Sequence, residues 1–393
     1  MIRSPYDRLV RNFRDAADRV LSQVITSGDL IGVAAAAWAE DAEPYAAAFG
    51  DAATGEAMTT DTSVWIASMT KAVTGVAAMQ LVERGAVTLD QPLGDLVPYL
   101  GSVQVLDGFD EHGTARLRPP KTPITLRRLL THSSGFGYDW ADPALARFVA
   151  GQPAAEPGST RSYELPLLFD PGTEWTYGVG IDWAGQVVEA VTGRRLDAVI
   201  ADEICSPLAM RDTGFRRTAQ QQQRAAAIHL RTDDGLVPMP FALPEEPEML
   251  MGGGGLYSTV TDYLRFTRMI LNGGELDGVR LLTNETVTAM AGNHLEKKGT
   301  VAGWSTCNPI LSNDVDLALD GPQGWGLSFL INEFASPQGR SAGSLSWAGL
   351  ANSYYWIDRA SGTTGVFATQ VLPFYDPAAR NAFQAFEVAV NGG

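Results

Sequence analysis

Lysine is nearly missing from this chain. Only four of its 29 basic residues are lysines, Lys71, Lys121, Lys297 and Lys298, and against 45 acidic residues the net charge is −16. A surface of that sign suits neither nucleic acid nor an anionic membrane, so neither is expected as a partner. Cysteine is as scarce: Cys205 and Cys307 stand far apart, too few for a disulfide framework and in keeping with a reducing compartment. No run of about 18 apolar residues occurs, and residues 1–7 lack an apolar signal core, so a soluble cytoplasmic protein is expected. His112, His229 and His294 have no second ligand at metal spacing, which argues against zinc, and His132 reads as a structural hydrogen-bonder. A Gly-x-Ser-x-Gly elbow, a phosphate-binding glycine loop and a dinucleotide fingerprint are all lacking. A Ser-His-Asp hydrolase is therefore a poor reading, and no cofactor is expected.

Against that background one lysine stands out. Ser68-Met69-Thr70-Lys71 opens a long apolar segment closed by Arg84 and Gly85, and the pattern predicts a buried helix over 68–84. Lys71 alone among the lysines has a serine three residues before it and lies inside apolar sequence, where an unpaired ammonium is costly. Positions three apart share a helix face, so the hydroxyl and the amine can meet. The helix N-terminus adds partial positive charge and free N–H groups beside the hydroxyl. Apolar surroundings favour the free amine, which can take a proton from serine without a histidine. The competing reading, a structural lysine, leaves its placement in the segment unexplained.

Helical spacing predicts an amphipathic helix over 7–27 and helices at 125–131, 142–150, 181–192, 195–204, 259–271 and 377–390. Ile31–Trp38 and Pro44–Phe49 read as a hairpin around the turn Glu40-Asp41-Ala42-Glu43. Trp325–Ile331, Gly343–Trp347, Ser353–Ile357 and Thr364–Val371 read as an antiparallel meander, and 232–255 as a long surface loop. Strands at both ends and helices between imply an α/β fold: an antiparallel sheet flanked by helices, with an inserted, mostly helical domain. The expected division is 1–66 with 250–393 as the sheet domain and 67–249 as the helical one, with the active site at their interface.

A serine–lysine site needs a third group to carry a proton to the leaving atom. Tyr177 follows the turn Asp170-Pro171-Gly172 and precedes a helix, so its hydroxyl can enter a cleft, although most tyrosines simply pack. Leu345-Ser346-Trp347-Ala348-Gly349-Leu350 reads as an edge strand able to bind substrate through its backbone and to donate an N–H to an oxyanion beside that of Ser68. Gly349 there allows close approach of a ligand. Tyr138 and Trp140 are expected to line the cleft, with loop packing as the competing reading.

Taken in order, Ser68-x-x-Lys71, Tyr177 and Trp347-Ala348-Gly349 resemble the serine β-lactamase and penicillin-binding-protein superfamily, in its class C branch and most of all the family VIII carboxylesterases. Connecting segments agree, among them Leu129–Gly135, Asp170–Gly172, Cys205–Met210 and Gly253–Ser258. The resemblance implies that Ser68 is acylated, that Lys71 and Tyr177 share the acid and base roles as a coupled pair, and that the N–H groups of Ser68 and Leu350 form the oxyanion hole.

Two departures bear on substrate. Val179 stands where the β-lactamase pattern has an asparagine, and Trp347 stands where it has the lysine of Lys-Thr-Gly. Losing one charge-assisted contact weakens an anionic ligand by about 1.5–3 kcal/mol. An esterase acting on small neutral carboxylic esters is therefore expected. The alternatives are a β-lactamase or D-aminoacyl peptidase, an acyltransferase on the same site, and, least favoured, a binding protein without turnover. The sequence sets neither oligomeric state nor physiological substrate.

Overall fold

Two stretches from opposite ends of the chain pair into a single sheet. The computed structural model describes residues 5–40, 43–295, 301–319 and 321–392; Asp41 and Ala42 of the expected turn, and Lys297 and Lys298, lie outside them. In chain order the elements that frame the site are α1 (Pro5–Thr26), β1 (Gly32–Ala39), β2 (Tyr45–Ala53), β3 (Glu56–Ala57), α2 (Thr70–Glu83), α3 (Leu126–Leu130) and α4 (Gly180–Thr192). They continue with α5 (Val260–Leu271), β4 (Gln323–Trp325), β5 (Leu330–Asn332), β6 (Leu345–Gly349), β7 (Ser353–Asp358), β8 (Thr363–Ala368) and α6 (Pro377–Asn391). The sheet runs β4-β5-β6-β7-β8-β1-β2-β3, antiparallel throughout. Ala36 of β1 pairs with Val366 of β8 on one side and Ala46 of β2 on the other, so the early and late strands join at β1.

Both faces of the sheet are covered, which is why its central strands read as nearly continuous apolar runs. Ala34, Ala36, Tyr355, Ile357 and Val366 face one core, shared with α2, α4 and α5. Val33, Ala35, Ala37, Tyr354, Trp356 and Phe367 face a second core, shared with α1 and α6. Helix α1 offers that core Phe13, Ala17, Leu21 and Val24 at helical spacing. Helix α6 starts where sequence rules place a start: the Asp376 side chain accepts from the Ala379 N–H, and Pro377 occupies the first turn. Among the described residues no helix is long and apolar enough to cross a membrane.

Helix α2 is buried from Thr70 to Leu81, as a helix apolar on every side must be. It is entered through a 3₁₀ turn, Ala67–Met69, in which Ala67 takes φ +44°, a conformation uncommon for a residue with a Cβ. It closes at Arg84, followed by Gly85 in the left-handed region.

Three sequence expectations need correction. Trp325–Ile331 is not one strand but the hairpin β4–β5, turned at Gly326–Phe329 with Ser328 at φ +78°; its unbroken apolar character hides the turn. The segment 232–255 is not a surface loop throughout. Gly235–Pro238 pairs with His229–Thr232, and Gly252–Gly255 is buried between α2 and α4. The reason lies in space: Thr74 of α2 donates its hydroxyl to the Gly252 carbonyl at 2.7 Å, and a Cβ on Gly253 would lie 2.4 Å from the Asp182 carboxylate of α4. The expected helix 195–204 is a short α-helix, Leu196–Ile200, running into a π-turn, Ala201–Cys205.

Candidate active site

The 3₁₀ turn leading into α2 holds Ser68 half-buried, while Lys71 in the first turn of α2 has no solvent exposure. The Lys71 ammonium donates to Ser68 Oγ at 3.1 Å, to the Tyr138 hydroxyl at 3.1 Å and to the Gly253 carbonyl at 2.6 Å. Three acceptors match its three N–H donors, which is how a fully buried cation is tolerated. Nζ also lies 4.8 Å from the centre of the Tyr177 ring and 5.5 Å from that of Tyr138.

Tyr177 is carried into the site by the loop before α4. The Thr176 N–H donates to the His132 carbonyl at 3.0 Å, and the Gly178 N–H points at His132 Nδ1 at 3.4 Å, so the loop is tied on both sides of the tyrosine. His132 is buried, and its imidazole is pushed well below the usual range, first by burial and then by the Lys71 charge. It stays neutral and packs on Tyr177, ring centres 4.9 Å apart. The Tyr177 hydroxyl accepts from Trp347 Nε1 at 3.2 Å. Because its oxygen is held by the indole, its own proton is directed elsewhere.

Strand β6 crosses directly against the nucleophile turn. A Cβ on Gly349 would sit 2.4 Å from the Ile66 carbonyl oxygen, so only glycine lets the strand come this close to the backbone leading into Ser68. Beyond Ser346 the outer edge of β6 has no partner in β5, which pairs only Leu330 with Ser346 and Ile331 with Leu345. The space beside Ser68 is about 10 Å³ and is lined by Trp140, Tyr177, Trp304, Trp347, Ala348, Gly349, Leu350 and Phe374. That is room for about one water.

The structure therefore brings Ser68, Lys71, Tyr177, Trp347, Gly349 and Leu350 together. Tyr138 is in the site, but beneath it, against Lys71 rather than on the cavity wall; burial, then the Asp182 charge, pushes its phenol well above the usual range, so it keeps its proton. Val179 is packed in the main core at the start of α4 and is not part of the cavity lining.

Sequence reasoning missed Trp304, Phe374, Gly253 and Asp182. Trp304 stacks on Tyr177 at 5.2 Å and 15° and closes the cavity from a two-residue strand, Gly303–Trp304, that pairs with Val315–Asp316 and carries no distinguishing pattern. Asp182 is 1% exposed in the first turn of α4, and its Oδ1 accepts the Gly253 N–H at 2.9 Å. Burial raises its carboxyl, while the nearby Lys71 charge pulls it down. A lone acid in the apolar run Gly180–Ala184 was the available signal, the same one that singled out Lys71.

The sequence profile of the beta-lactamase family matches residues 7–390. The chain is 33% identical over 347 residues to the monacolin J acid methylbutanoyltransferase of Aspergillus terreus, an alignment covering 84% of this chain and 82% of that one. It is 33% identical over 326 residues to the lovastatin esterase of Penicillium rubens, covering 80% and 81%. A solved structure of simvastatin synthase from Aspergillus terreus, in its LovD6 mutant form, superposes with a TM-score of 0.82 at 28% identity and covers 98% of each chain.

Proposed function

The chain belongs to the beta-lactamase family, and on that premise we propose that it is a serine carboxylesterase, of the family VIII type, acting on esters that are neutral around the reacting carbonyl. The observation that carries this reading is the lining of the space beside Ser68, in which no side chain is charged. Where the wider family holds a cation for a β-lactam or peptide carboxylate, this site has the Trp347 indole, and its N–H is already engaged with Tyr177.

In the proposed reaction the Lys71–Tyr177 pair enters with one proton fewer than the fully protonated ammonium and phenol, and as Ser68 Oγ attacks the ester carbonyl its proton fills that place, across the 3.1 Å Lys71–Ser68 contact or through Tyr177. The oxyanion is held by the N–H groups of Ser68 and Leu350. Tyr177 delivers a proton to the departing alcohol as the ester C–O bond breaks, leaving an acyl-Ser68. Water then adds to the acyl carbon, the pair takes its proton, and Ser68 is released with the carboxylic acid. Room for about one water beside Ser68 suits this second half.

Acyl transfer to an alcohol on the same site is the second reading. The 33% identity to a methylbutanoyltransferase favours it, since only the nucleophile of the second half changes. Steady-state turnover of p-nitrophenyl acetate and of nitrocefin, by wild type and by Ser68→Ala and Tyr177→Phe, tests the proposal. Ester turnover that falls by roughly 10²–10⁴-fold in either variant, with little nitrocefin hydrolysis, is expected. Fast nitrocefin hydrolysis would replace the esterase with a β-lactamase. Added alcohol that diverts product from acid to new ester would favour the transferase.

A further inference from the structure

On the far side of Trp347 and Ala348 lies a second, larger cavity of about 110 Å³. It shares Trp347, Ala348 and Phe374 with the space beside Ser68, so the two adjoin across these residues, next to the unpaired edge of β6. The nucleophile's own space takes about one water, whereas this one takes roughly eight. A group on one side of an ester's carbonyl can lie in such a volume while the carbonyl stays at Ser68.

The lining has a definite chemistry. Tyr354, Phe374 and Phe383 provide aromatic walls, and two guanidinium groups, Arg340 and Arg380, enter the same cavity. Arg340 Nε lies 2.9 Å from Glu387 Oε1, but its Nη1 has no acceptor among the described residues. Arg380 lies over the Tyr375 ring at 4.6 Å, takes part in no ion pair among the described residues, and has a buried Nε without an acceptor. Buried N–H groups without acceptors are rare in folded proteins and call for a partner. Asp316, exposed at the edge, is the other acid of the lining.

We propose that this cavity receives the remote end of the substrate, and that this end is a carboxylate, or an anion of like shape, on an apolar or aromatic body. The proposal rests on the ester reading of Ser68 and refines it: the substrate is neutral where Trp347 replaces a cation and anionic beyond it, where Arg380 and Arg340 supply donors. A guanidinium fork fits a carboxylate in geometry as well as charge. The overall charge of −16 opposes an anion from a distance, but exposed charges more than about 8 Å away are screened at physiological salt.

The anionic end can belong to either half of the ester, and matched pairs separate the two. For the acyl half the pair is p-nitrophenyl hydrogen adipate and p-nitrophenyl hexanoate; for the alcohol half it is para-acetoxybenzoate and its methyl ester. The readout is the ratio of kcat/KM, anionic over neutral, in wild type, Arg380→Gln and Arg340→Gln. In one pair the wild-type ratio should favour the anion by about tenfold and fall to near unity in Arg380→Gln. General damage to the fold lowers both members and leaves the ratio alone. This matters for Arg340→Gln, which removes the Arg340–Glu387 ion pair. A wild-type ratio at or below unity in both pairs, or a preference that survives both variants, overturns the proposal. Failure of the ester reading looks different, because then the neutral esters are not turned over either. In that case calorimetric titration of Ser68→Ala protein with para-acetoxybenzoate and with adipate decides the cavity alone: saturable binding lost in Arg380→Gln supports it, and no binding overturns it.

Discussion

Trp347 donates its indole N–H to the hydroxyl oxygen of Tyr177 at 3.2 Å, so the residue that takes the place of the wider family's cation is bonded to the candidate acid itself. The contact fixes the phenol without adding charge. Trp347→Phe keeps an aromatic ring in the wall and removes the donor. Its kcat on a neutral ester should fall roughly tenfold, the effect of about one hydrogen bond in the transition state, with KM changed much less. Steady-state kinetics check this. A variant that loses KM and keeps kcat would make Trp347 a binding surface only.

Lys71 is fully buried, and its three N–H donors are shared among two hydroxyls and one carbonyl. Lys71→Met retains length and apolar contact while removing the charge. Turnover should drop by roughly 10³-fold or more, whereas the melting temperature should hold or rise, because a buried cation is gone and active-site groups commonly cost stability. A large loss of stability with substantial activity left would mark the lysine as structural.

Asp182 reaches Lys71 through one peptide group: its carboxylate accepts the Gly253 N–H, and the Gly253 carbonyl accepts from Lys71. Burial holds its carboxyl above the usual range against the pull of Lys71. A folded-state value raised above the unfolded one, about 3.9 for aspartate, means stability that is fully present below about pH 4 and lost as pH rises through the folded value. Asp182→Asn keeps the acceptor and stays neutral. The variant should equal or exceed wild type in stability at pH 7, and this advantage should shrink toward pH 4. Its activity at pH 7 should fall, since the charge facing Lys71 is missing. Denaturant melts at both pH values check the sign; a variant less stable at pH 7 than at pH 4, relative to wild type, contradicts it.

The Gly253 position has no room for a methyl group, since a Cβ would lie 2.4 Å from Asp182 Oδ2. Gly253→Ala should cost about 1–3 kcal/mol of stability through this overlap and, by moving the carbonyl away from Lys71, should lower kcat as well. Unchanged stability and rate would mean that the segment 252–255 gives way freely.

Much of this was legible because it is local. A hydroxyl and an amine three residues apart on a buried helix need only sequence spacing, and the close of that helix at Arg84 and Gly85 is visible as letters. The apolar stretches of β1 and β2 on either side of an acidic turn marked the hairpin in the same way. What stayed hidden is set by distant contacts. Tyr138 meets Lys71 across 67 positions, and Gly253 meets it across 182, so neither leaves a local pattern. The glycines at 252–255 read as a loose loop because flexibility and tight packing call for the same residue. Trp304 closes the cavity from a two-residue strand, too short for any period to show where its side chain points.

The measurement that bears most directly on this account is intact-protein and peptide mass after millisecond quench of wild type with p-nitrophenyl acetate. One acetyl group should appear on the peptide containing Ser68 and decay as product accumulates, and it should not appear in Ser68→Ala. Acetylation of another residue on that timescale, or turnover undiminished in Ser68→Ala, would contradict Ser68 as the nucleophile.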